Sequence, residues 1–346
     1  MVKKVLIISP NSSFGGAATA NLNIAHMIHM AGVEVVYNDE FLTSVPSLPF
    51  EYSDFPVYGN LKSKESLVQY IIKRKFSYVL IGDGRIAIHY FFKFWKLKKK
   101  GIRIGIIFHS LNIGKALRNK VSDWIVSVAT LCANDLLYVS NYTQTSWNKY
   151  LIPKITKSKG KVVYNAVAPP DSITTGPIDG KPNIVFVGRF SQEKRPALFC
   201  KIAEKYNKIY NFIMWGDGPQ FEELKKKYKS YITFKGYGCD IKEIYNGVSL
   251  IVVPSVFENC PMCILESMVR GIPSICTKVG GIPEIVASGF NGEFLDEGNF
   301  INSFEECTEK IFGAYDSYRL NCINRSNSFL FENVSKEWKK LIDGVK

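Results

Sequence analysis

Glu258 and Glu266 stand eight residues apart around the stretch 259–265 (NCPMCIL), where an apolar run gives way to a helical pattern. Glu258 falls in the turn after a strand, and Glu266 falls inside a helix expected to begin near Pro261. A proline in the first helical turn is pre-organised and gives up no intrahelical hydrogen bond. The unpaired amides around Met262 and Cys263 can then face an anion, so that a phosphate would sit with a carboxylate on either side. One carboxylate could bind sugar hydroxyls and the other a ribose diol, a division that fits a sugar nucleotide. The spacing leaves open which glutamate lies nearer a reacting carbon.

A second cluster supplies positive charge. The turn 188–194 opens on Gly188 after the apolar run 184–187 and carries Arg189, whose planar fork grips phosphate oxygens, and Lys194, a compact point charge. The pair could hold a phosphate group; surface charges beside a linker would look the same. Gly15 and Gly16 follow the first strand and let the backbone approach a charged group, as a plain tight turn also would. GGAAT is not the dinucleotide fingerprint, and no other segment places G-x-G-x-x-G after a strand. His109 ends the strand 104–108, at the edge where such sheets bind ligands; it could position a sugar hydroxyl or simply pack. Gly216 and Gly236 open turns after two further strands and could wall a nucleotide base, while Gly280 and Gly281 could brace the glutamate segment.

These residues need a frame that gathers strand ends. Strand candidates at 5–9, 33–36, 78–81, 104–108 and 136–139 alternate with longer helical patterns, which favours a parallel sheet covered on both faces. The pattern breaks at 167–183 (VAPPDSITTGPIDGKPN). It restarts with strands at 184–187, 211–215, 232–235, 250–253 and 274–276, interleaved with helices at 196–206, 220–227, 241–246 and 263–269. A last helical pattern covers 329–342. The expectation is an α/β chain with Rossmann-like domains at 1–167 and 184–326, a linker at 168–183, and a terminal helix within 327–346.

Composition agrees with this division. A chain of 346 residues exceeds the size at which one core stops growing, and 46% hydrophobic with 22% charged residues is ordinary for globular protein. The start MVKKVLIISPN has too short an apolar run for a signal peptide and reads as a first strand. The most apolar longer stretch, 121–139, contains Asp123, Asn134 and Asp135 and reads as helix then strand, not as a membrane span. Eight cysteines show no paired metal spacing; Cys260 and Cys263 form a lone C-x2-C, expected to be reduced thiols. The formal charge of +13 is concentrated in part at 90–100 (YFFKFWKLKKK), where lysines interleave with aromatic rings. A helix there either packs its rings on the sheet and ends in a lysine-rich turn, or presents rings and lysines to an anionic membrane.

The glutamate segment resembles the signature of the retaining, nucleotide-sugar-dependent glycosyltransferases of family 4, of the bacterial cell-envelope polysaccharide type. FVGRFSQEK at 186–194, WGDGP at 215–219 and VGGIPEIV at 279–286 agree in order and spacing; SFGGAATANL at 13–22, FHS at 108–110, SNYT at 140–143 and YNAV at 164–167 agree less sharply. The resemblance implies a GT-B fold, two Rossmann-like domains facing across a deep cleft with the C-terminal helix crossing back to the first. It implies an acceptor-binding amino-terminal domain and a donor-binding carboxy-terminal one. Its catalytic residues would be His109, Glu258, Arg189 and Lys194, and its donor site would add Gly15, Gly16, Gly188, Gly216, Gly236, Pro261, Met262, Cys263 and Glu266. No cofactor or metal is implied beyond a UDP- or GDP-type sugar donor, with a glycan or lipid-linked glycan as acceptor. A cytoplasmic protein, peripheral at the inner face of the membrane, would meet such an acceptor. NCPMC departs from the family's commoner glycine-containing, more aliphatic wording, which bears on the sugar more than on the phosphates.

Other readings divide from this one at defined points. A non-hydrolysing sugar-nucleotide epimerase would need no acceptor. An inactive nucleotide-sugar-binding scaffold would bind donor without transfer. A nucleic-acid-binding protein would account for the charge, but the cations are dispersed and no recognition motif accompanies them.

Overall fold

The computed structural model describes residues 3–9, 16–38, 57–58, 67–82, 87–109, 127–128, 130–149, 159–170, 180–238 and 240–344. Gly15, Ser110 and residues 121–126 and 129 of the stretch 121–139 lie outside them. The chain divides into two compact units, one formed by Met1–Ala166 with Phe331–Lys346 and the other by Val167–Leu330.

The first unit runs β1 (Lys4–Ile8), α1 (Gly16–Met30), β2 (Glu34–Asn38), β3 (Val57–Tyr58), α2 (Leu67–Lys73), β4 (Tyr78–Ile81), α3 (Ala87–Lys99), β5 (Arg103–Phe108), β6 (Asp135–Tyr138), α4 (Asn141–Asn148) and β7 (Gly160–Val162). Its sheet has the order β3-β2-β1-β4-β5-β6-β7, all parallel. The central strands KVLII, YVLI and RIGIIF are buried almost throughout, as continuous apolar runs must be when both faces of a parallel sheet are covered. Strand order reverses between β1 and β4, so the chain segments leaving those two strands diverge and open a crevice at their carboxyl ends. On one face Phe108 stacks on Tyr138 at 5.0 Å and meets Trp147 of α4 at 4.7 Å. Ser140 begins α4 by accepting a hydrogen bond from the Thr143 amide, which is the local role of the SNYT segment.

The second unit runs β8 (Asn183–Val187), α5 (Pro196–Tyr206), β9 (Asn211–Trp215), α6 (Phe221–Tyr228), β10 (Ile232–Gly236), α7 (Ile241–Tyr245), β11 (Val248–Val253), α8 (Met262–Met268), β12 (Ser274–Thr277), β13 (Gly292–Leu295), α9 (Phe300–Gly313) and α10 (Tyr315–Ser326). Its parallel sheet has the order β10-β9-β8-β11-β12-β13. The two units thus repeat one topology, each reversing beside its first strand, although no repeat is visible in the sequence. Two 3₁₀ turns, Gln192–Lys194 and Ile282–Glu284, interrupt the loops at the carboxyl edge of this sheet.

The last helix, α11 (Phe331–Asp343), belongs to the first unit and packs on α1. It buries Phe331, Val334, Trp338, Leu341 and Ile342, one stripe at helical spacing. Arg103 donates to the Leu341 carbonyl at 2.6 Å and Lys3 to the Ile342 carbonyl at 2.9 Å, so two cations cap the helix end. Arg103 also forks onto the buried carboxylate of Asp135, which in turn accepts from the Tyr78 hydroxyl at 3.0 Å.

Helix α3 buries part of its aromatic content and exposes the rest. Phe94 and Leu97 are fully buried in the core, whereas Phe92 is 80% and Trp95 49% exposed, beside the exposed Lys96 and Lys99. Among the described residues no helix is long and apolar enough to cross a membrane, and no group of three or more His, Cys, Asp or Glu could hold a metal ion.

Candidate functional site

The carboxyl edge of the second sheet collects most of the candidate residues. Lys194 closes the 3₁₀ turn after β8, and Glu258 follows β11, the strand on the other side of the order reversal. Although 64 positions separate them, Lys194 Nζ lies 2.5 Å from Glu258 Oε1. The same oxygen accepts from Ser255 Oγ at 2.8 Å, and the Val256 amide donates to the Glu193 carbonyl at 2.8 Å, stitching the two loops together. Glu258 is 7% exposed, so these partners replace the water its carboxylate gives up. Burial opposes the charge on Lys194, but the Glu258 carboxylate outweighs it and raises the ammonium above its ordinary value.

Glycine makes the backbone of this edge possible at two places. Gly280 has φ +60, and a Cβ there would come 1.8 Å from the Glu258 carbonyl oxygen; its neighbour Gly281 donates its amide to that oxygen at 3.0 Å. The VGG loop therefore braces Glu258 from behind. Gly216 has φ +131, and a Cβ there would meet the Gly188 carbonyl at 1.9 Å. Gly188 donates to the Trp215 carbonyl at 3.0 Å and Gly216 to the Gly236 carbonyl at 2.7 Å. Gly188, Gly216 and Gly236 thus lie side by side at the ends of β8, β9 and β10.

Helix α8 carries the second glutamate. Pro261 stands at its N-cap with ψ 121 and accepts from the Leu265 amide, which places the proline just before the first turn, not in it as expected. Met262 and Cys263 are the first helical residues. Burial, reinforced by Glu258, pushes the Cys263 thiol up to about 12, so it remains uncharged. Glu266 is half-buried, and the fully buried Tyr245 at the end of α7 donates to its Oε2 at 2.8 Å. Burial, then Glu266, raises the Tyr245 phenol well above its usual range, which keeps it a donor. Arg270 holds the Glu266 carbonyl at 2.8 Å and covers the Tyr245 ring at 5.3 Å. Arg189 is exposed at the tip of the turn after Gly188.

The first unit holds its own edge residues. Gly16 opens α1, and His109 follows β5 half-buried. Its Nε2 lies 2.8 Å from Oδ1 of Asn21, a fully buried residue of α1. Burial alone lowers the His109 imidazole to about 4, so the ring is neutral at pH 7. Ser255, Tyr245 and Asn21 were not anticipated as partners of the candidate groups. A serine just past a mostly apolar strand and an asparagine among the mainly apolar buried residues of α1 are the signals that could have marked two of them; Tyr245 offers none.

The family described as glycosyl transferases group 1 matches residues 181–313, which is most of the second unit. The O-antigen biosynthesis glycosyltransferase WbnH of Escherichia coli is 30% identical over 163 residues, 46% of either chain. The UDP-Gal:alpha-D-GlcNAc-diphosphoundecaprenol alpha-1,3-galactosyltransferase of Escherichia coli is 30% identical over 173 residues, 45% of this chain and 43% of its own length. The chain thus spans about half the length of the curated relatives it matches. Among solved structures, Anabaena Alr3699/HepE in complex with UDP-glucose superposes with a TM-score of 0.78 at 17% identity, covering 99% of this chain and 100% of the other. That likeness establishes the fold: two Rossmann-like units with a returning terminal helix, the GT-B architecture.

Proposed function

We propose that this protein is a retaining, metal-independent glycosyltransferase of the family 4 type, moving a hexosyl unit from a UDP- or GDP-type sugar donor to a sugar hydroxyl of a lipid-linked oligosaccharide or envelope polysaccharide precursor. The observation that carries the reading is the Lys194–Glu258 pair at the order reversal of the second sheet, with Glu266 within the following helix α8. Open parallel sheets bind nucleotides at such reversals. There Arg189 and Lys194 take the diphosphate and neutralise the charge that grows on it as the glycosidic bond breaks. The amides of Met262 and Cys263, released by the N-cap Pro261, add donors to the same oxygens. Glu266 takes the ribose hydroxyls, Glu258 the ring hydroxyls of the transferred sugar, and Gly188, Gly216 and Gly236 wall the base. In the first unit Gly15, Gly16 and His109 serve the diphosphate and the transferred sugar. Retention follows from same-face substitution in which the departing phosphate helps deprotonate the acceptor, with Glu258 as a binder and not a covalent nucleophile.

The place of action is the inner face of the cytoplasmic membrane. Phe92, Trp95, Lys96 and Lys99 occupy one outward stripe of α3, at spacing i, i+3, i+4 and i+7, so rings can enter the headgroup layer while ammonium groups meet anionic lipid. Names borne by relatives, O-antigen biosynthesis and a diphosphoundecaprenol-linked acceptor, support a lipid-linked substrate of this kind.

The test is turnover of uridine, guanosine and adenosine diphosphate sugars with a mixed lipid and oligosaccharide acceptor extract, resolving nucleotide release from sugar transfer. Transfer from one donor is expected. Donor binding without transfer would indicate a scaffold, and neither binding nor turnover would overturn the assignment.

A further inference from the structure

The Glu258 side chain is held by one of its two oxygens. Lys194 Nζ at 2.5 Å and Ser255 Oγ at 2.8 Å converge on Oε1, and among the described residues no hydrogen-bond partner reaches Oε2. A carboxylate can only accept, so the serine hydroxyl is the donor. The backbone beneath is fixed as well, because the Glu258 carbonyl receives the Gly281 amide at 3.0 Å. With the carbonyl and Oε1 both held, the direction of Oε2 is set.

The two contacts on Oε1 differ in kind. Lys194 comes from the turn after β8 and keeps 30% of its side chain exposed, so its remaining donors can turn to a diphosphate. Ser255 is only 1% exposed, out of reach of a ligand. Its carbonyl accepts from Thr277 Oγ1 at 2.5 Å, at the end of β12, the strand paired with β11. The line from Thr277 through Ser255 to Glu258 therefore starts in the sheet and passes through no group that the diphosphate would engage. Without it, Lys194 alone would hold the carboxylate and the phosphate at once, and each movement of the ammonium toward the leaving group would drag the sugar contact with it.

We propose that Ser255 is a positioning residue that pins Oε1 of Glu258, so that Oε2 alone receives a hydroxyl of the transferred sugar while Lys194 is occupied by the diphosphate. This rests on the assignment of Glu258 to the transferred sugar and of Lys194 to the diphosphate.

Ser255→Ala removes a single oxygen atom. It should lower kcat/KM for the sugar donor about tenfold, the scale of one misaligned contact in the transition state, and leave the dissociation constant of uridine or guanosine diphosphate, which lack the sugar, within about twofold by calorimetry. A loop loosened as a whole would weaken both, because the Val256 amide ties this loop to the Glu193 carbonyl beside Lys194. A second measurement needs no substrate: Ser255→Ala should lower the midpoint of chemical denaturation in the wild type and leave it unchanged in a Glu258→Leu background, where the acceptor is gone. Wild-type kcat/KM in Ser255→Ala, an equal loss of nucleotide affinity and turnover, or the same midpoint shift in both backgrounds would overturn the proposal. Failure of the transferase reading would show as no transfer by the wild type, and the midpoint cycle would still decide whether Ser255 holds Glu258.

Discussion

The hydroxyl of Tyr245 anchors the carboxylate of Glu266 at 2.8 Å, from a side chain that is itself fully buried. Helix α7 thereby sets the rotamer of a residue on α8. Tyr245→Phe removes the donor and little volume. Binding of uridine or guanosine diphosphate, whichever the wild type prefers, should weaken about five- to tenfold by calorimetry, matching the roughly 1 kcal/mol of one hydrogen bond. In a Glu266→Gln background the same change should add almost nothing, because the group it positions is already gone.

Lys194 and Glu258 should separate activity from stability. Lys194→Met lowers turnover at least about tenfold and also strands the buried Glu258 carboxylate, costing on the order of 3 kcal/mol. Adding Glu258→Gln should recover most of the midpoint of chemical denaturation and none of the turnover. Full activity in Lys194→Met with saturating donor would refute the diphosphate role.

Arg103 joins the end of the last helix to the buried Asp135. Arg103→Ala should destabilise the first unit by about 3 kcal/mol, since among the described residues Asp135 would keep Tyr78 and the more distant Lys161 as partners. Amide exchange should rise first around Leu341 to Gly344, where the cap is lost. Uniform exchange along α11 would show that the cap does not govern its end.

His109 also gives the fold a pH dependence. Its folded value of about 4 lies below the ordinary 6.5, so the unfolded chain takes up the proton first. The contribution is complete above about pH 6.5 and is lost as pH falls from there through 4. The difference between the denaturation midpoints of wild type and His109→Gln should be constant above about pH 6.5 and shrink as pH falls from there toward 4.

The strands and helices that could be read from the residues are those whose burial leaves a pattern. The strand at 78–81, the helix at 196–206 and the strand at 211–215 match Tyr78–Ile81, Pro196–Tyr206 and Asn211–Trp215 end to end. β13 went unread because Glu293 sits in its middle; the structure satisfies that carboxylate with Ser288, the Gly289 amide and Tyr318, partners that arrive only with the fold. Helix α10 buries only Tyr318, Cys322 and Ser326, which is no apolar stripe. The separate motifs at 186–194 and 258–266 were legible, but their junction through Lys194 and Glu258 depends on β8 pairing with β11, a neighbourhood that no spacing along the chain encodes.

The return of α11 to the first unit also fixes the order in which the molecule can be finished. Residues 167–330 form one uninterrupted stretch, whereas the first unit needs both the first 166 residues and those from Phe331 onward. On the ribosome, domains complete themselves as their chain emerges. The amino-terminal sheet is synthesised first and sealed last: the face of α1 that α11 covers must wait until the second unit has already been made. A nascent chain stalled near residue 330 should therefore bind chaperones through its earlier half, and that binding should end once α11 is released.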